Sequence, residues 1–376
     1  MSLFYPEDLN YMARAIRLAE RGRFTTSPNP CVGCVIVKNN QIIGEGFHIQ
    51  AGGPHAEINA LTQVEQSQAT AQGATAYVTL EPCSHTGKTP PCASALIKAG
   101  VATVIVGMED PNPLVSGRGI QMLRDAGIQV HQGCLESACK KINPGFNKRM
   151  THKRPFVQVK LASSLDGRTA MASGESKWIT SYQARKDVQL YRAKACAILT
   201  GSGTVMADNP QMNVRESDFP LTDYPIESIR QPAKIIIDNQ SQLTPDLNIF
   251  ASETPVFVVK NKIKVTPPQQ NWPKHVTQIE LSGNDHNIDL TALMLELGAC
   301  QMNHIWVEAG AKLAGALIQQ GLVDELIIYQ APKLMGENTK GLLDVPNLTE
   351  LSQAVEWQYA DVRQIGPDLR LTLRAK

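Results

Sequence analysis

Two α/β blocks in tandem, the first a three-layer arrangement of a sheet between helices, are predicted by three features of the sequence. Its 376 residues are enough for more than one domain, at roughly 150 residues each. Apolar runs of strand length alternate with stretches of helical period, the pattern of a layered α/β fold. A basic, strand-poor stretch over 148–154 interrupts the alternation. The boundary is placed there, giving domains 1–149 and 150–376.

The elements of the first block follow in order. Met12, Ala15, Ile16 and Ala19 recur at helical spacing behind the acidic start Glu7-Asp8, which suits a helix N-terminus. Segments 32–37 and 42–47 read as a hairpin around Asn39-Asn40, a pair suited to a tight turn. A helix follows His55, and 76–80 is a strand. Residues 91–99 form a helix ended by Gly100, and 101–107 a buried strand. A helix ending at Ala126-Gly127 and a strand over 128–131 repeat that unit. Residues 134–147 read as helical, with Asn143-Pro144-Gly145 marking the end.

The second block opens with a strand over 156–161 and continues with a helix over 181–194. Strands are expected at 197–200, 234–238, 255–260, 305–308 and 326–329, with a helix from Gly310. The polar, proline-bearing segments 215–232 and 264–274 read as loops. No internal repeat or low-complexity tract is evident.

Composition narrows the function. Hydrophobic residues at 43% and charged residues at 19% exclude wholesale disorder. Lys plus Arg is 36 against 35 Asp plus Glu, and 1–150 carries 13 basic and 11 acidic residues. A broad nucleic-acid-binding surface therefore gets no support. The start, Met1-Ser2-Leu3-Phe4-Tyr5-Pro6-Glu7-Asp8, lacks the basic and apolar regions of a signal peptide. Apolar runs such as 101–107 are too short to span a bilayer. Eight cysteines in such a chain are expected as thiols. The expectation is a cytoplasmic enzyme with no nucleic-acid or membrane partner.

The strongest chemical signature is His55-Ala56-Glu57, followed by Pro82-Cys83 and then by Cys92. One imidazole and two thiolates make a tetrahedral zinc site with one position open to water. Zinc can lower the pKa of that water to about 7. Glu57, two residues past the ligand at a helix start, can reach the water and move protons without binding metal. Pro91 suits a helix opening, whose N-terminus favours the Cys92 thiolate. The alternative, that these residues merely pack, is weakened because they come in the order of the zinc deaminase signature. Cys31-Val32-Gly33-Cys34 has knuckle spacing, but no second cysteine pair follows at ribbon spacing. On a strand its two thiols face opposite sides, so no second zinc is expected.

Pro28-Asn29-Pro30, Val32-Gly33, His55-Ala56-Glu57 and Pro82-Cys83 resemble the cytidine deaminase superfamily. Eight residues separate Cys83 and Cys92, where nucleoside and tRNA deaminases commonly have two. The longer form, Glu81-Pro82-Cys83-Ser84-His85-Thr86-Gly87-Lys88-Thr89-Pro90-Pro91-Cys92, resembles the deaminase of riboflavin biosynthesis, as does Arg23-Phe24-Thr25-Thr26-Ser27-Pro28-Asn29-Pro30. That resemblance implies that Asn29, His48, His85 and Lys88 hold a pyrimidine and its phosphoribosyl arm. Taken alone, Lys88 reads as a solvated loop lysine.

The second block carries weaker local motifs. Gly201-Ser202-Gly203-Thr204-Val205-Met206 begins like a dinucleotide fingerprint but has methionine at the third glycine position. In Trp306-Val307-Glu308-Ala309-Gly310-Ala311-Lys312-Leu313 a strand leads through glycine into a helix over 311–320. Its exposed N–H groups would favour phosphate, and an ordinary strand–helix turn is the competing reading.

Lys160-Leu161-Ala162-Ser163-Ser164-Leu165-Asp166-Gly167-Arg168-Thr169-Ala170 is similar to the first strand and loop of the riboflavin-pathway reductases, whose fold is like that of dihydrofolate reductase. Gly174-Glu175-Ser176-Lys177-Trp178-Ile179-Thr180, Arg192, Thr204 and Ala207-Asp208-Asn209-Pro210 match too. The resemblance implies that Ala162, Trp178, Thr204, Asp208 and the turn Gly310, Ala311, Lys312, Leu313 line an NADPH site. It assigns Ser176, Arg192, Met212, Arg215 and Glu308 to the substrate. Arginines suit a ribose phosphate dianion. Alone, Arg192 could be a surface ion-pair partner, Trp178 core, and Asp208 a turn cap.

Across nearly the whole chain, then, the sequence resembles the bifunctional diaminohydroxyphosphoribosylaminopyrimidine deaminase / 5-amino-6-(5-phosphoribosylamino)uracil reductases. The fold implied is a cytidine-deaminase-like three-layer α/β/α domain followed by a dihydrofolate-reductase-like α/β domain. One zinc ion per chain, NADPH, a phosphoribosylaminopyrimidine substrate and a homo-oligomer are expected. The rival reading is a nucleic-acid or nucleoside zinc deaminase with a non-catalytic C-terminal binding domain. Balanced charge and the long Cys83–Cys92 loop weigh against it.

Overall fold

The computed structural model describes residues 4–84, 90–113, 115–219, 224–262, 271–284, 287–345 and 348–375. They form two compact units: residues up to Lys153 together with 224–228, and the remainder from Arg154 onward.

In the first unit α1 (Pro6–Glu20) precedes β1 (Gly33–Lys38) and β2 (Gln41–Phe47). Then come α2 (Ala56–Gln66), β3 (Thr75–Val78), α3 (Cys92–Lys98), β4 (Thr103–Val106), α4 (Arg118–Asp125), β5 (Gln129–Gln132), α5 (Glu136–Ile142) and α6 (Pro144–His152). The sheet order is β2-β1-β3-β4-β5. β1 pairs antiparallel with β2 and β3, while β3, β4 and β5 run parallel. In the expected hairpin Lys38 pairs with Gln41, and Asn39 and Asn40 take φ values of 52° and 60°. Asparagine tolerates that left-handed geometry, which a two-residue hairpin turn demands. One face buries Ile36, Val78 and Val104 against Ala60, Leu96 and Leu123 of the helices. The other buries Val35, Val37 and Ile105 against Met12, Ala15 and Cys139. Alternate strand residues thus feed opposite layers.

One expected helix is two. α5 ends and α6 begins at Asn143, with Pro144 at the first helical position. A first-turn residue has no intrahelical use for its N–H, so proline opens a helix there instead of ending one. α6 runs to His152, so 148–152 is helical, not an irregular linker, and Lys153 closes it with a φ of 60°.

The second unit contains β6 (Phe156–Ser163), β7 (Arg168–Ala170), α7 (Tyr182–Lys194), β8 (Ala197–Gly201), α8 (Ser202–Asp208), β9 (Ala233–Ile237), β10 (Val256–Asn261) and β11 (Val276–Leu281). α9 (Leu290–Ala299), β12 (His304–Glu308), α10 (Ala311–Gln319), β13 (Glu325–Gln330), β14 (Lys340–Gly341), β15 (Trp357–Ile365) and β16 (Asp368–Ala375) complete it. Nine strands form one sheet in the order β11-β10-β9-β8-β12-β6-β13-β16-β15, and β7 pairs with β14 apart from it. The strands from β11 to β13 are parallel, and β16 and β15 form an antiparallel edge. Val159, Leu199 and Val307 meet Leu293 of α9 and Leu317 of α10 on one face. Ile198, Trp306 and Tyr329 meet Ala184 and Val188 of α7 on the other. Helices α8 and α9, strands β7, β11 and β14 and the β15–β16 hairpin are additions to the predicted elements.

Sheet order positions the second site. From β6 the chain passes to β8 and outward to β11, then returns to insert β12 between β8 and β6. The carboxyl ends of β8, β12 and β6 therefore lie side by side where the winding reverses. Open α/β sheets take ligands in the crevice at such a place.

Candidate functional sites

In the first unit, His55 caps α2, Cys92 is the first residue of α3, and Cys83 follows the end of β3. The start of α2 lies tight on β2, because a Cβ on Gly46 would sit 2.4 Å from the Ala56 carbonyl oxygen. His55 Nδ1 is 3.3 Å from Cys92 Sγ and 3.6 Å from Cys83 Sγ. All three donor atoms lie within 4.8 Å of one another. Tetrahedral zinc on bonds of about 2.0–2.3 Å spaces its ligands about 3.5 Å apart, so the donor set fits that ion.

Proton balance favours the same ion. With the Cys92 thiol and His55 donating to it, and the Cys92 N–H at 3.3 Å, the Cys83 thiol is drawn well below its ordinary value. Cys92, bonded to Cys83 and buried near Glu57, is pushed far up. His55 is raised by its bond to Cys83. Two adjacent thiols cannot both ionise without a cation between them, and a divalent metal supplies that charge.

Glu57, the second residue of α2, is 3% exposed and burial pushes it up to about 7. A bound dication would draw it down again. Beside His55, the His48 ring stands edge-on at 5.3 Å between centroids. The Asn29 amide donates to His48 Nε2 at 3.1 Å, so the His48 proton sits on Nδ1, 2.9 Å from the Pro54 carbonyl. Burial lowers the His48 pKa, in keeping with that neutral tautomer. Asn29 and His48 are thus brought to the donor set. His85 and Lys88 lie outside the described residues. Cys31 Sγ meets Thr26 Oγ1 at 3.2 Å, and Cys34 packs in the core under α2.

In the second unit, the site gathers at the strand ends already described. Ala162 lies near the end of β6, Gly310 caps α10 after β12, and Thr204 and Asp208 lie on α8 after β8. A Cβ on Gly201 would lie 3.7 Å from Leu313, which sets the α10 start beside the end of β8. Cβ atoms on Gly203 and Gly310 would meet nothing within 4 Å, leaving open backbone at both helix starts. Lys312 and Ala311 open α10. Trp178 is 60% exposed with the Arg185 guanidinium 4.3 Å above its ring, and Lys177 Nζ lies 3.4 Å from Asp208 Oδ1.

Arg192, Met212 and Glu308 form one cluster. Arg192 Nε and Nη2 donate to the two Glu308 oxygens at 2.6 and 2.9 Å. Its Nη1 donates to the Asn213 carbonyl at 2.7 Å, and Nη2 reaches Met212 Sδ at 3.9 Å. Trp306 Nε1 donates to Glu308 at 2.8 Å. Glu308 falls to about 2, because Arg192 and Lys160 outweigh the burial that opposes them. Arg192 is thus committed chiefly to a carboxylate, which the phosphate role implied by resemblance did not anticipate. Arg215 is freer: its side chain is 50% exposed, 3.6 Å from Asp218, while its backbone N–H is held by Gln189 of α7. Ser176 is exposed, in the irregular stretch just before the turn at 177–178.

Residues 6–108 match the cytidine and deoxycytidylate deaminase zinc-binding region family, and residues 155–371 match the RibD C-terminal domain family. The riboflavin biosynthesis protein RibD of Escherichia coli K12 is 51% identical, over 98% of this chain and 99% of its own. This chain belongs to the RibD family. The Haemophilus influenzae RibD is 52% identical over 99% of both chains. Among solved structures, Acinetobacter baumannii RibD superposes with a TM-score of 0.89 at 46% identity, covering 98% of this chain and 99% of that one. The Thermotoga maritima diaminohydroxyphosphoribosylaminopyrimidine deaminase / 5-amino-6-(5-phosphoribosylamino)uracil reductase gives 0.86 at 33% identity with the same coverage. The fold is that of RibD, a cytidine-deaminase-like domain followed by a dihydrofolate-reductase-like domain.

Sequence reasoning passed over residues that this RibD fold makes prominent. Lys160 on β6 faces Glu308 across the β6–β12 register and is enclosed enough for burial to lower its pKa. It stands in the quoted Lys160–Ala170 motif, and a lysine inside an apolar strand was the available sign. Asn143, read only as a helix stop, clamps Cys31: it accepts the Cys31 N–H at 2.7 Å and donates to the Cys31 carbonyl at 2.8 Å. No helix among the described residues is long and apolar enough to cross a membrane.

Proposed function

We propose that residues 1–149 act as a zinc deaminase domain and 150–376 as an NADPH-dependent reductase domain, performing two consecutive reactions on one phosphoribosylaminopyrimidine. The chain is a bifunctional deaminase and reductase of riboflavin biosynthesis, an enzyme with a small-molecule substrate. The observation that carries the assignment of residues is the His55–Cys83–Cys92 donor set with the buried Glu57 carboxyl beside it.

The first reaction replaces the 2-amino group of 2,5-diamino-6-(5-phosphoribosylamino)pyrimidin-4(3H)-one by oxygen from water, releasing ammonia. Zinc, when bound by His55, Cys83 and Cys92, supplies Lewis acidity at neutral pH. Glu57 takes a proton from the attacking water and returns protons to the ring and the leaving amine. Asn29 and His48 hold the pyrimidine edge, and His85 and Lys88 its phosphoribosyl arm.

The second reaction reduces 5-amino-6-(5-phosphoribosylamino)uracil at C1 of the ribose, opening the sugar to a ribityl chain. NADPH, when bound, supplies the hydride. Ala162, Trp178, Thr204, Asp208 and the turn Gly310, Ala311, Lys312 and Leu313 form its bed, supported by the open backbone at Gly203 and Gly310. Ser176, Arg192, Met212, Arg215 and Glu308 hold the substrate, with Arg215 toward the phosphate and Arg192 also fixing Glu308. The same reading makes the protein a cytoplasmic homo-oligomer. The exposed edge strand β15, with Tyr359 and Val362, is a face that a second copy would cover.

Supplying the diaminopyrimidine phosphate with NADPH, while following ammonia and NADP together, tests the whole scheme. Ammonia release should precede NADPH oxidation, and both should go to completion. Oxidation of NADPH by the diamino compound with no ammonia would overturn the order, and ammonia alone would leave the second domain without its reaction.

A further inference from the structure

We propose that Glu81 is a positioning residue for the metal centre, holding both cysteine ligands in place through backbone bonds. This rests on the zinc reading above.

Glu81 lies two residues before Cys83 and is 4% exposed. Its main chain is fixed first, with its N–H donating to the Met108 carbonyl at 2.9 Å. Its carboxylate then accepts four backbone N–H groups. Oε1 takes Gly119 at 2.8 Å and Ile120 at 3.3 Å. Oε2 takes Gly117 at 3.0 Å and Asp110 at 3.1 Å. Helix α4 has Gly117 as its N-cap and no side-chain cap of its own. Glu81 therefore caps α4 from a distant part of the chain, meeting N–H groups that a helix start leaves unpaired.

That cap bears on the ligands because of what it presses together. A Cβ on Gly119 would lie 1.9 Å from the Pro82 carbonyl oxygen. The first turn of α4 thus lies directly on the peptide that leads into Cys83. α4 also packs on α3, whose first residue is Cys92. The Ala93 N–H, in turn, donates to the Cys83 carbonyl at 3.2 Å. One carboxylate thereby sets α4 against both thiolate-bearing segments, which separately end β3 and open α3.

Glutamine cannot replace it. Four donors converge on two oxygens, and an amide offers one oxygen. Either orientation of the substituted amide points an NH₂ group at two N–H groups. Outer-sphere partners of metal ligands typically change metal affinity about ten- to a hundredfold, and Glu81→Gln should fall in that range. Gly119→Ala leaves Glu81 intact and attacks the same contact from the α4 side.

The test titrates the zinc-loaded full-length proteins with EDTA and reads retained zinc. It adds the cobalt(II)–thiolate absorption of the Co²⁺-substituted forms, the melting of the metal-free forms, and the NADPH-linked reductase rate. Glu81→Gln and Gly119→Ala should release zinc at about ten- to a hundredfold less EDTA and shift the cobalt bands. Both substitutions disturb the α4 cap, so the metal-free forms should melt somewhat below wild type. Zinc and cobalt are read at a temperature where both are folded, and the reductase rate should match wild type. Wild-type retention of zinc with unchanged bands in both variants overturns the positioning role. So does a zinc loss in Glu81→Gln that appears only at temperatures where its metal-free form is already unfolded, since the residue is then a fold support alone. If wild type itself holds no zinc, or holds it equally in His55→Ala, the metal assignment fails instead.

Discussion

Replacing Arg192 by alanine separates two jobs that one guanidinium could have. Its side chain and that of Glu308 are 11% and 13% exposed and meet in a two-pronged bond at 2.6 and 2.9 Å. Removing one member of such a buried pair leaves the other charge uncompensated, at a cost of about 3–5 kcal/mol. At about 1.4 kcal/mol per decade, the second unit should lose roughly two to four decades in its folding constant. Urea unfolding measures this directly. The pH dependence identifies the cause. In wild type Glu308 titrates at about 2 against an ordinary 4.5. Its contribution to stability is therefore complete above 4.5 and is lost as pH falls from there to about 2. Without Arg192, burial is opposed only by Lys160 and the Trp306 N–H and dominates, so the carboxyl rises above its ordinary value. The folded state then binds protons more tightly than the unfolded chain, and this group's contribution grows as pH falls through the raised value. The deficit of Arg192→Ala should accordingly shrink from pH 8 to pH 5, and Glu308→Gln on top of it should recover much of the loss. If Arg192→Ala unfolds like wild type at each pH and only the KM for phosphorylated substrate rises, the buried-pair argument is wrong and Arg192 is a phosphate holder.

Three further outcomes are expected. Cys83→Ser and Cys92→Ser should lose most of their zinc by metal analysis while Cys31→Ser keeps it, and a full equivalent in both of the first two would refute the donor set. Glu57→Gln should keep zinc and lose about a hundredfold or more in ammonia release, the scale of general acid–base catalysis, with NADPH oxidation of the deaminated substrate unchanged. An equal fall in both activities would instead point to damage beyond the proton path. Arg215→Ala should raise the reductase KM about ten- to a hundredfold, as loss of one charge-assisted bond of roughly 1.5–3 kcal/mol requires. The difference from wild type should largely vanish with a dephosphorylated substrate, and its persistence there would place Arg215 away from the phosphate.

The first site was legible because each of its parts has a local cause. His55 and Cys92 stand at helix starts, and both starts are marked in the sequence, one by His-x-Glu and the other by a preceding proline. The hairpin was legible for the same reason, since two adjacent asparagines can take the positive φ that the turn needs. Misreading came where one residue has two local meanings. A proline can follow the end of one helix or open the next, and here Asn143 closes α5 while Pro144 opens α6. Glu81 was hidden differently. Its partners are backbone N–H groups 29 to 39 residues away, and backbone donors leave no mark in a sequence.

The second site was opaque for a topological reason. Arg192 and Glu308 are 116 residues apart, and they meet because β12 returns late in the chain to lie between β8 and β6. The strands involved are buried on both faces, so they read as apolar runs with no alternation to show which side chain faces α7 and which faces α9. Within β12, Val307 joins one core while Trp306 and Glu308 face the other way. Nothing in the local pattern distinguishes that register from one shifted by a residue, which would bury Glu308 against Leu293 and Leu317. What fixes it is the set of polar partners waiting on the α7 side, the Arg192 guanidinium and Lys160 on the neighbouring strand. The charged cluster therefore helps to specify the strand register as well as to shape the site, and sequence reading misses such a cluster because each member makes sense only in the presence of the others.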